Sequence, residues 1–133
     1  MNITRNAVYN YIANAIAAEM SDVYVTSVYE PKPASLPAVI LREIGDFRNP
    51  ENMTFTGEQG VRTSTFEAQI VTSQTNGALT KAYDILDVVR AAFFNLYYNE
   101  TNALIVEDGS TGRYRLRVSY RRVIGDADTL PNP

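Results

Sequence analysis

The chain has 133 residues, 15 acidic and 12 basic side chains, a formal charge of −3, and neither cysteine nor histidine. That length fits one domain able to bury roughly two-thirds of its unfolded surface without covalent staples. The two missing residue types exclude disulfide frameworks, iron–sulfur clusters, thiolate zinc sites and Ser-His-Asp or Cys-His catalysis, leaving only carboxylate, lysine, tyrosine or serine chemistry.

From about Thr4 to Met20, Ala7, Val8, Tyr11, Ile12, Ala15, Ile16 and Met20 recur at spacings of three and four, which predicts an amphipathic helix. Asn2 or Thr4 can accept from its first free amides, and Ser21-Asp22 ends it. Val23 to Tyr29 alternates and is rich in β-branched and aromatic residues, so it reads as a strand. Pro31, Pro33 and Pro37 make the following stretch a connection, because proline donates nothing to a ladder. Ala38 to Ile44 resumes as a strand with apolar residues on both faces, as a central strand covered twice would have.

Gly45 to Gly60 loses periodicity but carries Phe47, Met53 and Phe55. A polar excursion of that length asks for a functional reason, and three large apolar side chains on it either fold back over the sheet or meet another subunit. Val61 to Ser73 alternates cleanly, with Phe66, Ala68 and Ile70 inward and Thr65, Glu67 and Gln69 on a wet face. Ser73 to Gly77 is a turn leading into a second helix, Ala78 to about Tyr97. Its buried stripe is Leu79, Ala82, Tyr83, Leu86, Val89, Phe93, Leu96 and Tyr97, with Lys81, Asp84, Asp87 and Arg90 outside. Ala103 to Glu107 and Arg113 to Ile124 flank Asp108-Gly109-Ser110-Thr111-Gly112 and should form an antiparallel hairpin.

The last strand packs five arginines into the ten residues from Arg113 to Arg122. A period of two puts Arg113, Arg115, Arg117 and Arg121 on one face, opposite Tyr114, Leu116, Val118 and Tyr120. On an acidic chain this local basic stripe suits a polyanion or a partner subunit met on one side only. Its other reading is a solvated face whose arginines pair with neighbouring carboxylates such as Glu67 or Glu43. The expected fold is α+β: residues 1–125 form one domain, with an antiparallel sheet of four to five strands, two helices on one face and one long inter-strand loop, and residues 126–133 form an extended tail.

Nothing points to a bound cofactor, a metal or an enzyme. Gly109 and Gly112 lie in a hairpin rather than between a strand and a helix, Glu107-Asp108-Gly109-Ser110 lacks the alternating acids of a calcium loop, and Asp126 with Asp128 supplies too few ligands. No stretch approaches the ~18–20 apolar residues that span a bilayer, and no export signal is recognisable, so the expectation is a soluble chain without a membrane partner. The Asn-x-Thr triplets at Asn2, Asn52 and Asn99 then read as capping and turn residues.

The opening helix with Asn-Ala-Val-Tyr-Asn-Tyr-Ile, the approach Pro-Ala-Ser-Leu-Pro-Ala-Val-Ile-Leu-Arg-Glu-Ile, the long loop and the strand Thr-Ser-Thr-Phe-Glu-Ala-Gln-Ile-Val are followed by the helix Ala-Tyr-Asp-Ile-Leu-Asp-Val-Val-Arg-Ala-Ala-Phe and a basic hairpin. In size and element order, over about Thr4 to Gly125, this resembles the tailed-bacteriophage tail terminators, also called tail completion or neck proteins. The resemblance implies a virion protein of the tail and neck, assembled in the host cytoplasm, that forms a homo-oligomeric ring, usually a hexamer. Such a ring stops tail-tube polymerisation and offers the head-docking surface, with the tube protein and head-side neck or connector proteins as partners. DNA passes through its lumen without sequence-specific contact. It would place Arg113, Arg115, Arg117 and Arg121 at the lumen or ring interface, and Phe47, Met53 and Phe55 against the tube or the next subunit. The alternatives are a head–tail connector or stopper, a tube or sheath subunit, or a small non-catalytic binding module.

Overall fold

A computed structural model describes residues 3–31, 33–48, 61–108, 112–125 and 128. Thr4 starts the first helix: its hydroxyl accepts from the Ala7 amide at 3.1 Å and satisfies one of the orphan donors, so Thr4 is the cap. Helix α1 runs Arg5–Glu19 and buries Val8, Ile12 and Ile16. It is followed by β1 (Tyr24–Thr26), β2 (Ala38–Arg48), β3 (Val61–Ser73), α2 (Ala78–Asn95), β4 (Asn99–Asp108) and β5 (Arg113–Gly125). The fold is α+β, with both helices packed on a five-stranded sheet in the order β1-β2-β3-β5-β4.

The sheet is mixed rather than wholly antiparallel. β2, β3, β5 and β4 pair antiparallel, but β1 joins β2 in parallel, with Val25 opposite Val39. Side-chain alternation reports which face is buried and carries no information on strand direction, so the direction of β1 was not readable from its residues. β2 also runs four residues further than its apolar run. A bulge between Glu43 and Gly45 takes up Ile44, which is half exposed, and the ladder continues to Arg48. The break at Gly45-Asp46 is therefore a bend inside a strand. Phe47 pairs through its backbone with Thr63 and belongs to β2 rather than to a loop, while Met53 and Phe55 lie outside the described residues.

The core lies between the helices and one sheet face. Ile12 and Ile16 from α1, Ile85, Leu86, Val89 and Phe93 from α2, and Val39, Leu41, Phe66, Ala68, Ile70, Leu116 and Val118 from the strands form a single buried cluster. An aromatic group sits at its centre: Phe93 stacks on Tyr120 at 4.2 Å between centroids, and Tyr98 meets Phe66 and Phe93 edge-on. α2 is started by Gly77 at φ +83°, without a side-chain cap, rather than by the polar residues before it. Past its end Tyr97 adopts φ +62°, which swings its side chain off the buried stripe. Tyr97 is 73% exposed and Tyr83 is exposed as well, so neither belongs to the core face expected of them, whereas Tyr98 is buried.

Candidate functional site

The face of the sheet away from the helices carries the arginine stripe. Because β3 pairs with β5 along thirteen positions without a bulge, the period-two pattern survives intact. Arg121 lies opposite Thr65, Arg117 opposite Gln69, Arg115 opposite Val71 and Arg113 opposite Ser73. On the other side of β3, Arg42 of β2 lies opposite Glu67 and joins the same surface. Arg122 is on the inward side instead. It donates to the Leu96 carbonyl at 2.8 Å and pairs with Asp128 at 3.4 Å, a cation placed where α2 leaves its last carbonyls unsatisfied.

Glu67 is the hub of this face. One carboxylate oxygen accepts from the Gln69 side-chain amide at 2.6 Å and from Arg42 at 3.4 Å, and the other accepts from Arg117 at 3.4 Å. Gln69 in turn accepts from Arg115 at 2.6 Å. Arg42 is a direct cross-strand neighbour of Glu67, and Arg117 is a diagonal one, both within reach of long side chains. Burial alone would raise the Glu67 carboxyl, but the hydrogen bond from Gln69, the charge of Arg117 and the contacts of Arg42 together hold it below its ordinary value.

This surface is not the wet face that the alternation in β3 predicted. Glu67 is 8% exposed and Gln69 1%, and Ala38, Ile40 and Val71 are fully buried although they stand outside the helix-side cluster. The β1–β2 connection covers them. The Pro31 carbonyl accepts from Arg115 at 3.0 Å, and the Tyr29 ring lies 5.4 Å from the Arg42 guanidinium carbon and 5.7 Å from that of Arg115. The pairing with Glu67 read from the sequence is present. Glu43, the other carboxylate considered there, faces the helices: it accepts from Ser64 at 2.8 Å, which accepts from the Tyr98 hydroxyl at 2.9 Å.

The buried Arg62 next to Glu43 had not been singled out. It donates to Asp46 at 2.9 Å and to the Ile3 carbonyl, and lies 3.7 Å from Glu43, closing the end of the core. The only available signal was an arginine at an inward position of β3, two residues before Ser64. Arg42 was also missed as a member of the stripe, because its place depends on register between two strands.

A second surface lies around α2 and β4. β4 is a sheet edge, and Leu104 and Ile105 are about half exposed on it. Phe94, on α2, is 77% exposed. Arg90 holds Glu100 at 2.8 Å, and Glu100 also accepts from Tyr120 at 3.1 Å. The hydrogen bond from Arg90 is the main reason the Glu100 carboxyl is lowered, while burial and the nearby Glu100 charge raise the Tyr120 phenol.

The two surfaces present guanidinium, phenol and aliphatic side chains to solvent. No protein-family model matches the chain, and no curated protein matches it either.

Proposed function

We propose that this chain is a structural, non-catalytic virion subunit that closes into a ring, a hexamer, at the head-proximal end of a bacteriophage tail. There it stops growth of the tube, presents the surface to which head-side neck proteins dock, and lets DNA pass through its lumen. The observation that carries this reading is the outer edge of β4. β4 pairs with β5 on one side and has no strand on the other among the described residues, and Leu104 and Ile105 are exposed on it. Natural proteins protect such edges with charge, bulges or another chain, and identical copies meeting head to tail protect every edge once the circle closes. The size and element order of the family it resembles agree with this.

Electron microscopy of the purified protein, with light scattering for mass in solution, tests the reading. The expected result is a closed ring of one size, six subunits, that does not lengthen with concentration. A monomer at every concentration overturns it. Growth into open filaments instead assigns the chain to the tube or sheath.

A further inference from the structure

The two surfaces differ in charge. On the sheet face away from the helices, Arg42, Arg115, Arg117 and Arg121 stand against Glu67 and, in the connection beside them, Glu30, which accepts from the Tyr24 hydroxyl at 3.5 Å. Around α2 the balance reverses. Asp22, Asp84, Asp87 and Glu100 are exposed, and among the described residues Lys81 and Arg90 answer them, Lys81 pairing with Asp22 at 3.3 Å and Arg90 with Glu100 at 2.8 Å and Asp87 at 3.9 Å. Each surface also carries apolar side chains that a lone copy leaves in water: Val28, Tyr29 and Val123 on or beside the basic face, Tyr83 and Phe94 on the acidic one.

We propose that the arginine-bearing sheet face of one copy, with the β1–β2 connection that partly covers it, docks on the acidic α2–β4 flank of the next, and that this head-to-tail contact is the one that closes the ring. The inference rests on the ring reading above and adds which surface meets which. Its occupant is a second copy rather than nucleic acid for two reasons. First, the face mixes arginine with tyrosine and valine, the composition of a protein interface core rather than of a phosphate-binding surface. Second, the whole chain is acidic, so a polyanion approaching it meets net repulsion, whereas the acidic flank of the same chain is complementary in sign. Two like copies meeting through the same face would set arginine against arginine. The contact is therefore heterologous, as a ring requires.

The test is a charge swap on two exposed positions, Arg121→Glu on the basic face and Asp84→Arg on α2. Neither residue has a partner in the core, so circular dichroism and the thermal midpoint of each variant should match wild type. By sedimentation velocity, each variant alone should need at least about tenfold more protein to assemble. An equimolar mixture should recover assembly, because each altered face then finds an altered partner. Wild-type assembly should weaken between 0.1 and 1 M salt by screening. Normal assembly of either variant alone, or a mixture no better than its components, overturns the proposal while leaving a wild-type ring intact. So does an Arg121→Glu protein that assembles normally but loses anisotropy-detected binding of a labelled double-stranded oligonucleotide. Open wild-type filaments that obey the swap would leave this docking standing and remove the terminating role.

Discussion

A carboxylate that is nearly buried and held by two guanidinium groups and an amide, as Glu67 is, makes stability depend on pH in one direction. Its folded-state affinity for a proton is lowered below that of a free glutamate, so the unfolded chain binds more protons and stability rises with pH through the carboxylate range. The contribution is complete above the ordinary glutamate range and is lost as pH falls through the lowered folded-state value. Glu67→Gln keeps the shape and removes the charge, leaving Arg42 and Arg117 without their anion. Urea titrations should show the variant less stable by about 1–2 kcal/mol at pH 7, with both arginines half exposed to solvent, and the gap closing towards pH 3. An equal gap at both values would assign the effect to packing. Single residues were legible in part. The shared face of Arg115, Arg117 and Arg121 follows from a period of two, but the burial of Glu67 and Gln69 does not. What covers them, Tyr29 and Pro31, lies more than thirty positions away in a connection that alternation says nothing about.

Helix α2 places two phenylalanines side by side in sequence and on opposite sides in space. Phe93 is fully buried against Tyr120, Phe66 and Tyr98, and Phe94 points into solvent. Phe93→Ala should cost about 3–5 kcal/mol, read as a lower urea midpoint at unchanged slope. Phe94→Ala should leave that midpoint within about 0.5 kcal/mol of wild type and weaken assembly instead, because its ring belongs to the acidic flank. Elements were the most legible scale. β3 begins at Val61 and ends at Ser73 as its alternation indicates, and α1 and α2 fall within two residues of their periodic stripes. The misses have local causes. A bulge let β2 pass a glycine, α2 ended at Asn95 with Tyr97 in the left-handed region beyond it, and the polar run Asn99 to Asn102 joined β4 because β5 supplies partners for it.

The α+β class, the five strands and the helices on one face could be foreseen from the order of periodicities. The sign difference between the two surfaces could not, since it depends on which strands become neighbours and on which side of the sheet a connection crosses. Composition fixed only the total charge. If that separation of sign governs assembly, its strength is set by ionic conditions as well as by concentration, and a ring that forms in dilute buffer should loosen in concentrated salt without unfolding.

β1 is held to the rest of the sheet by only three residue pairs, whereas β3 shares thirteen with β5 and ten with β2. Protection against deuterium should therefore be graded across the molecule. The amides of Tyr24 to Thr26 should exchange through small openings, and those at the centre of β3 only when the whole chain unravels. The parallel strand is then the seam at which the molecule first comes apart, and the β1–β2 connection that shelters Glu67 would loosen with it.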